Sequence, residues 1–275
     1  MCMEKTHNNN NYTLITGATG GLGNAFVHEV IKSTKNIIIT STSFDKIDKL
    51  KKQILDIDNS INIQTFKCNF LIKEDLEALI DFIQDNNFTI DTLINNAGFI
   101  CEGSSKYSSV ETLENCLRVN NLGTIFLTKS ILDIHDNSNH LDIITVSSLA
   151  GNYPLPYMAI YSASKACLKN YMLAIREEYK KDNVNILVVL PGAIATSDSM
   201  KEAIEAQGFK GKLSAVTPAK IAKNSLKKVR KNKSIYIPGW FNKLTDIVSK
   251  ITPLSLQIKV AGKMWKKSQA KRDIK

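Results

Sequence analysis

Short β-prone runs alternate with segments of helical spacing along most of this chain of 275 residues. Runs rich in Ile, Leu and Val stand at Asn36 to Thr40, at Leu141 to Ser147 and at Val184 to Leu190, with helix-spaced segments between them. Strands that are apolar on both faces are typical of a parallel sheet covered by helices on both sides. The pattern therefore predicts an α/β fold with a doubly wound parallel sheet.

The alternation continues without a Pro-, Gly- or Ser-rich linker, so we expect one Rossmann-type domain over residues 12–240. Residues 1–11 are polar and predict a frayed N-terminus. Residues 241–275 follow the domain as a basic, amphipathic C-terminal extension.

Composition narrows the class of protein. The apolar runs fall far short of the roughly 18 residues that cross a bilayer, and residues 1–11 lack the apolar core of a secretory signal. The five cysteines are odd in number and widely spread, which is typical of reduced thiols in the cytoplasm. The four histidines form no ligand cluster, so we expect no metal site.

The net charge of +10 is unevenly distributed. Residues 1–208 carry 18 basic and 24 acidic side chains, a net charge of −6, whereas residues 209–275 carry 18 basic and 2 acidic side chains, a net charge of +16. The main body is therefore acidic, and we expect no nucleic-acid partner for it.

A glycine cluster, Thr16-Gly17-Ala18-Thr19-Gly20-Gly21-Leu22-Gly23, joins the first predicted strand to the first predicted helix. Glycines at such a turn let a pyrophosphate approach the free N–H groups of the helix N-terminus. The spacing of the cluster differs from the longer dinucleotide form G-x-G-x-x-G. By itself the cluster leaves two interpretations open, a dinucleotide site and a structural turn.

Tyr161 and Lys165 stand four residues apart on a predicted helix and therefore share one face. Bringing a tyrosine pKa from about 10 to about 7 takes roughly 4 kcal/mol of preferential phenolate stabilisation. A nearby ammonium and a positively charged nicotinamide could supply this stabilisation. The alternative is an exposed pair without a chemical role.

Six motifs follow one another in a characteristic order. They are the cluster at 16–23, Asn95-Asn96-Ala97-Gly98, Asn120 within Asn-Asn-Leu-Gly, Ser148, Tyr161-x-x-x-Lys165, and Pro191-Gly192 with Thr196. Over about residues 12–240 the chain thus resembles the classical short-chain dehydrogenase/reductase family, and in particular its lipid- and steroid-type members with a C-terminal extension.

The resemblance implies four catalytic residues. Tyr161 would be the general acid/base, and Lys165 would lower its pKa and hold the nicotinamide ribose. Ser148 would hold the substrate oxygen, an oxyanion-hole role. Asn120 would fix a water in the proton relay behind Lys165.

The resemblance also implies a dinucleotide site. Its expected contacts are Gly17, Thr19, Gly20, Gly21, Leu22, Gly23, Ser41, Thr42, Ser43, Asn69, Phe70, Asn96, Ala97, Gly98, Tyr161, Lys165, Pro191, Gly192, Ile194 and Thr196. A carboxylate at the end of the second strand would repel a 2′-phosphate. That position reads Thr40-Ser41-Thr42-Ser43, so we predict NADP, with NAD as the alternative. The strand end lacks the Arg common in NADP enzymes, Gly20 stands where many of them carry a basic residue, and Asn69 replaces the usual aspartate.

The expected substrate contacts are Ser148, Tyr153, Tyr157 and Tyr161, with Phe99 and Ile100 nearby and residues 200–209 as a lid. These side chains favour an apolar or aromatic small molecule, although ordinary core packing is an equal alternative.

The C-terminal extension carries apolar residues, among them Trp240 and Trp265, at helical spacing between lysines. Three interpretations remain open. Residues 240–275 could lie on an anionic membrane surface, pack on the domain or across a subunit interface, or, as the least favoured choice, bind nucleic acid. The resemblance implies a homodimer or homotetramer built partly on the helix of Tyr161.

These observations predict an NADP-preferring oxidoreductase that interconverts a secondary alcohol and a ketone on a hydrophobic lipid, steroid-like or acyl substrate. The alternatives are a 3-oxoacyl or sugar reductase of the same fold, and a non-catalytic protein that senses the cofactor and docks through its basic tail. The expected location is the cytoplasm, with peripheral membrane association open.

Overall fold

The computed structural model describes residues 10–195 and 213–272. Seven parallel strands form one sheet in the order β3-β2-β1-β4-β5-β6-β7. The strands are β1 (Asn11–Ile15), β2 (Asn36–Ser41), β3 (Asn62–Lys67), β4 (Thr89–Asn95), β5 (Leu141–Val146), β6 (Val184–Val189) and β7 (Ile235–Tyr236). The predicted doubly wound α/β fold is confirmed.

Helices cover both faces of this sheet. They are α1 (Gly21–Val30), α2 (Phe44–Ile57), α3 (Lys73–Asp85), α4 (Val110–Leu117), α5 (Thr124–Asp133), α6 (Ala159–Glu178), α7 (Pro218–Val229), α8 (Trp240–Ile251) and α9 (Leu254–Arg272). Side chains of α1, α2 and α7 pack on one face, and those of α3, α5 and α6 pack on the other. Within the described residues, no helix is both long and apolar enough to cross a membrane.

The apolar strand runs are explained by this two-sided cover. Ile37 and Ile39 lie in the core cluster under α1 and α2, and Ile38 lies in the cluster on the opposite face. All three side chains are fully buried. Burying a side chain of this size contributes roughly 1.5–3 kcal/mol, which explains the apolar residue at each of these three positions.

The strand order places a crevice at the carboxyl edge of β1 and β4. From β1 the chain continues toward β2 on one side, whereas β4 pairs with β1 on the other, with Ile15 opposite Ile94. Ligands of open α/β sheets bind at such a point, where the strand order reverses. The residues that follow these two strands, the glycine cluster and Asn95 to Gly98, therefore meet at one place.

The helical stretch from Val110 to Asp133 is not a regular α-helix throughout. Between α4 and α5, residues Arg118–Gly123 form a π-helical turn. This turn carries buried Asn120 and Asn121, and the side chain of Asn121 donates to the carbonyl of Ser164 on α6 at 2.8 Å. Such π turns often occur at functional sites.

Candidate active site

The glycine loop joins β1 to α1 and requires glycine at two positions. Gly17 has a φ of +61°, in the left-handed region, and a Cβ on Gly23 would lie 2.2 Å from the carbonyl oxygen of Gly17. Helix α1 begins at Gly21, and the first N–H groups of a helix have no partner within it. The loop therefore presents bare backbone and a helix N-terminus to the crevice, which suits a pyrophosphate.

Asn96 and Thr16 tie this loop to the end of β4. The Asn96 amide donates to the carbonyls of Thr16 at 3.1 Å and Gly17 at 3.0 Å. The Thr16 hydroxyl accepts the backbone N–H groups of Asn96 and Ala97, each at 3.0 Å. Asn96 is thus a positioning residue for the loop, because its amide is used by loop carbonyls.

A cavity of about 420 Å³ joins the glycine loop to Tyr161 and Lys165. Its volume lies in the range of small-molecule and cofactor sites, roughly 300–1,000 Å³. The predicted residues that line it are Gly17, Thr19, Gly20, Gly21, Leu22, Gly23, Ser41, Thr42, Asn69, Phe70, Asn96, Ala97, Gly98, Ser148, Tyr161, Lys165, Pro191, Gly192 and Ile194. The bare loop, the helix N-terminus and the hydroxyl side chains of this lining fit a nicotinamide dinucleotide.

One end of the cavity carries a pair of hydroxyl groups. Thr19 Oγ1 and Ser41 Oγ lie 2.7 Å apart, within hydrogen-bond distance, and Thr42 is exposed beside them. Ser43 does not line the cavity; its hydroxyl caps α2 by accepting the N–H of Lys46. Since no carboxylate lies among the described residues that line the cavity, none of these side chains would repel a phosphate at this end.

Asn69 also lines this end of the cavity, and a bond with its own loop holds it. Its side-chain oxygen accepts the N–H of Leu71 at 3.1 Å. Lys67, the last residue of β3, pairs in register with Ser41, the last residue of β2, so the two side chains lie on the same face of the sheet. The Lys67 ammonium lies 5.6 Å from the centre of the Phe44 ring at the start of α2.

Ser148, Tyr161 and Lys165 meet at the other end of the cavity. Ser148 follows β5 and caps a 3₁₀ turn at Leu149–Asn152, where its oxygen accepts the N–H of Ala150 at 3.1 Å. Tyr161 and Lys165 lie one turn apart on α6, as predicted. The Ser148 hydroxyl hydrogen-bonds the phenol of Tyr161. A substrate oxygen near this hydroxyl pair would contact two hydrogen-bond donors.

Burial controls the pKa values of the two α6 residues. It raises the pKa of Tyr161 to about 12, and the hydrogen bond from Ser148 opposes this shift. Burial lowers the pKa of Lys165 to about 8, and its ammonium donates to the carbonyl of Val146 at 3.1 Å. In the protein without cofactor, the pKa of Tyr161 is therefore raised. The lower pKa that the sequence predicts for Tyr161 requires positive charge in addition to that of Lys165.

Asn120 does not line the cavity but lies directly behind it. Its side-chain oxygen accepts the N–H of Phe99 at 2.8 Å, and its amide donates to the carbonyl of Phe99 at 2.9 Å and to Ser164 at 3.0 Å. The side chain thereby fixes the loop after Gly98. It is fully buried in the π-helical turn.

The absence of a side chain at Gly98 leaves open the space between Asn120 and Lys165. A Cβ on Gly98 would lie 3.4 Å from the side-chain oxygen of Asn120 and 3.5 Å from the ammonium of Lys165. The space that a side chain would take is thus bordered by an acceptor and a cation. This geometry suits the proton relay expected for Asn120.

Sequence reasoning missed two residues that hold the α6 turn. The Ser147 hydroxyl donates to the carbonyl of Lys165 at 2.7 Å, and a Cβ on Gly151 would lie 2.7 Å from the Lys165 carbonyl carbon. Ser147 precedes Ser148 and Gly151 lies in the 3₁₀ turn after it, and both bring α6 close to the end of β5. The cavity also includes Thr40, Cys68, Val119 and Val146, which lie at or next to the ends of strands or in the π-helical turn.

The predicted substrate residues divide into two groups. Ser148 and Tyr161 line the cavity together with Phe99 and Ile100, whereas Tyr153 and Tyr157 do not. Tyr153 packs on a small cluster formed by Ala150, Leu155 and Met158, which Tyr161 also contacts. Tyr157 has a φ of +66° and its carbonyl accepts the N–H of Gly103 at 2.8 Å. Thr196 and the predicted lid at 200–209 lie outside the described residues.

Comparison with known proteins shows the family of this chain. Residues 11–207 match the model of the short chain dehydrogenase family. A dehydrogenase/reductase SDR family protein 7-like of Anopheles gambiae is 26% identical over 214 residues, covering 77% of this chain and 68% of its own. A very-long-chain 3-oxoacyl-CoA reductase of Bos taurus is 29% identical over 189 residues, covering 67% of this chain and 60% of its own.

The fold is also similar to that of solved structures. L-sorbose reductase from Gluconobacter frateurii, solved with NADPH and L-sorbose, superposes with a TM-score of 0.74 at 20% identity, covering 83% of this chain and 94% of that one. The family match spans well over half of the chain and includes the glycine loop, Ser148, Tyr161 and Lys165. The chain therefore belongs to the short-chain dehydrogenase/reductase family, whose members are NAD(P)-dependent oxidoreductases acting on CH–OH and C=O groups.

Proposed function

We propose that this protein is an NADPH-preferring reductase that converts the ketone of a hydrophobic small molecule into a secondary alcohol, with a 3-oxoacyl thioester as the first candidate. The observation that carries the proposal is the convergence of Ser148, Tyr161 and Lys165 at one end of a cavity that begins at the glycine loop. Tyr161, Lys165, Ser148 and Asn120 are the proposed catalytic residues.

The proton chemistry follows from the two hydroxyl groups. When bound, the dinucleotide supplies the hydride that reaches the carbonyl carbon. Ser148 holds the carbonyl oxygen, and Tyr161 gives that oxygen its phenolic proton. A pKa of about 12 keeps this phenol fully protonated at neutral pH, and an alkoxide is a stronger base than a phenolate, so the transfer is favourable.

Lys165 stabilises the phenolate that remains on Tyr161. Its ammonium lies 5.8 Å from the centre of the Tyr161 ring and borders the space at Gly98 that Asn120 also borders. Protons can return to Tyr161 along this side of the site. In the alcohol-oxidising direction the same residues act in reverse, with Tyr161 as the base.

The preference for NADPH is supported by the adenosine end of the cavity. The Thr19 and Ser41 hydroxyls lie where an NAD enzyme would place a carboxylate, and hydroxyls can donate to a 2′-phosphate. Lys67 shares a face with Ser41 and is exposed beside Phe44, so a cation is available near this end. NAD is the alternative cofactor.

A hydrophobic substrate is supported by the apolar side chains next to Tyr161. Phe99 and Ile100 are exposed at the cavity although they are large and apolar. Tyr153 and Tyr157 stay proposed substrate contacts, and Thr196 a proposed cofactor contact. The bovine relative acts on very-long-chain 3-oxoacyl-CoA by its name, which supports an acyl ketone over a sugar.

Two further assignments complete the proposal. The catalytic domain spans residues 12–240, with residues 241–275 as an extension. The enzyme forms a homodimer or homotetramer in the cytoplasm, built partly on α6. Such an interface is supported by three exposed side chains, Leu117 and Leu122 beside α6 and Cys167 on it. The cysteines that the structure describes are free thiols, which supports a reducing compartment.

Thermal shift with the four dinucleotides tests this function without a substrate. A ligand that binds the native state stabilises it by mass action. We expect NADPH and NADP to raise the melting temperature more than NADH and NAD at equal concentration. A stronger effect of NAD would overturn the NADP preference, and no effect of any of the four would favour the non-catalytic docking alternative.

A further inference from the structure

Helix α8 has the reverse of the usual polarity of a surface helix. Its polar residues Asn242 and Asp246, one turn apart, are 3% and 5% exposed. On the opposite side, five apolar residues are largely exposed: Trp240 (66%), Leu244 (49%), Ile247 (58%), Val248 (48%) and Ile251 (80%). Amphipathic helices of globular proteins normally turn the apolar face to the core. The outward apolar face of α8 is therefore typical of a surface that binds a partner.

The inward polar face is held by specific bonds, so the orientation of α8 is well determined. The Asn242 amide donates to the carbonyls of Ser214 and Pro238, and its side chain rests on Gly192, where a Cβ would lie 2.7 Å from the Asn242 oxygen. Asp246 accepts the Asn152 amide at 2.6 Å. Rotating α8 to bury its apolar face would break both sets of bonds.

Helix α9 adds a second outward apolar face. Leu256, Val260 and Met264 recur every four residues and are each about half exposed (50%, 49% and 48%). The Gln257 amide donates to the carbonyls of Ser249 and Thr252, which joins α9 to the end of α8. The two helices therefore present their apolar residues from connected segments.

The charges around these faces have one sign. Five lysines between residues 240 and 266 are exposed, namely Lys243, Lys250, Lys259, Lys263 and Lys266. Asp246 is the only carboxylate between 240 and 266 in the sequence, and it is buried and bonded to Lys250. The outer surface of this region thus combines apolar side chains, a tryptophan and positive charge.

A second copy of the chain is a poor occupant for this surface. A two-fold interface brings the same patch of both subunits together, so these lysines would face the same lysines. Nucleic acid would match the charge but not the exposed Ile and Val side chains. An anionic lipid leaflet matches both features, because apolar side chains enter the acyl boundary while lysines meet the headgroups.

We propose that α8 and α9 form a docking surface for a membrane leaflet that contains anionic lipid. On the other side of α9, Ala261 and Trp265 pack on the small cluster of Ala150, Leu155 and Met158, which Tyr161 also contacts. Docking therefore brings a cluster that adjoins Tyr161 close to the membrane. This last consequence rests on the proposed function, whereas the docking itself does not.

Co-sedimentation of the full chain with vesicles tests the docking. We use vesicles of phosphatidylcholine alone and with phosphatidylserine, at physiological salt. We expect at least tenfold stronger partition to the phosphatidylserine vesicles and a loss of binding as salt is raised, since exposed charge pairs are screened. Absence of partition to the phosphatidylserine vesicles would overturn the proposal.

Matched variants separate the two components of the surface. The double variant Ile247→Ser with Ile251→Ser should reduce binding at least tenfold, and Lys259→Gln with Lys263→Gln should reduce it at physiological salt. Two control double variants change exposed residues elsewhere: Ile57→Ser with Val110→Ser for the apolar pair, and Lys223→Gln with Lys227→Gln for the lysine pair. Both controls should bind vesicles as the wild type does. Equal losses in variants and controls would contradict the assignment to α8 and α9.

Two measurements keep a negative result interpretable. In a Trp265→Phe background, vesicles should shift the emission of Trp240 to shorter wavelength, and an unchanged spectrum would contradict insertion. Without vesicles, the Ile247→Ser and Ile251→Ser variant should keep its melting temperature and its cofactor thermal shift. A fall in melting temperature, or loss of a concentration-dependent dimer, would mean that the chain itself or a second copy covers this face, which would overturn the proposal.

Discussion

The ammonium of Lys165 lies 5.8 Å from the centre of the Tyr161 ring and donates to the carbonyl of Val146 at 3.1 Å. The lysine is thus fixed to the end of β5, and the tyrosine is bonded to Ser148 just beyond that strand. This arrangement holds the protonated phenol of Tyr161 beside the buried ammonium of Lys165, and a proton transfer can start from this state. Three parts of the chain determine it: β5, the 3₁₀ turn and α6.

Tyr161→Phe should remove the proton donor and leave the site otherwise intact. We expect kcat to fall by about 10²–10⁴-fold, the usual contribution of general acid–base catalysis. The stabilisation by NADPH in a thermal shift should remain, because the phenol contributes little to the glycine loop. A variant with wild-type turnover on the same substrate would show that Tyr161 is not the acid.

Stability of the protein without cofactor should depend on pH through Lys165. Its pKa is lowered to about 8 by burial, so between pH 8 and about 10 the unfolded state binds more protons than the folded state. The contribution of Lys165 to the free energy of unfolding should therefore rise with pH, by about 2 kcal/mol. The raised pKa of Tyr161 acts in the opposite direction above pH 10, and buried Cys68, whose pKa is raised to about 12, already does so below pH 10, so the contribution of Lys165 is measured against a variant that lacks it.

Urea unfolding of the wild type and of Lys165→Met at pH 8 and pH 10 measures this contribution. The difference in unfolding free energy between the two proteins should change with pH in favour of the wild type. A pH-independent difference would mean that Lys165 keeps an ordinary pKa in the folded protein. In that case burial would not be the dominant influence on this ammonium.

Cofactor preference should respond to one added carboxylate at the end of β2. Thr42→Asp places a negative charge on an exposed residue that lines the cavity, so NADPH affinity should fall at least tenfold while NADH affinity is kept. Ser43→Asp is the control, since Ser43 caps α2 outside the cavity and Asp is also a good cap. Fluorescence titration gives the dissociation constants of NADPH and NADH for each variant. Similar effects of both variants would contradict the assignment of Thr42 to the 2′-phosphate end of the cavity.

The glycine loop should tolerate a methyl group at one position and not at another. Gly23→Ala would place Cβ 2.2 Å from the Gly17 carbonyl, so we expect a loss of about 1–3 kcal/mol of stability, typical of overpacking. Gly20→Ala meets that carbonyl at an ordinary 3.4 Å and should change stability little. Denaturant unfolding without cofactor compares the two, and equal stabilities would contradict the close approach.

Local patterns in the sequence were sufficient for the sheet and for the pair on α6. Ile37, Ile38 and Ile39 alternate between two covered faces of the sheet. No described helix is long and apolar enough to cross a membrane, so a fully apolar run is most readily explained as a strand that is buried on both faces. Tyr161 and Lys165 need only the period of one helix to share a face.

Features that depend on distant partners could not be read in this way. The π-helical turn inserts an extra residue into a helical period, and its purpose becomes evident only when Asn120 meets Phe99, which is 21 residues away. The polarity of α8 is similar: its amphipathic pattern is visible in the sequence, but the inward side is decided by Gly192 and Asn152, which contact Asn242 and Asp246.

The proposed ketone reduction can be measured as the rate of NADPH oxidation with 3-oxoacyl thioesters of increasing acyl length. We expect turnover whose kcat/KM rises with acyl length and which is lost in Tyr161→Phe. Stable binding of NADPH with no oxidation by any of these ketones, or by short ketones and sugars measured in parallel, would show that the protein is not a ketone reductase.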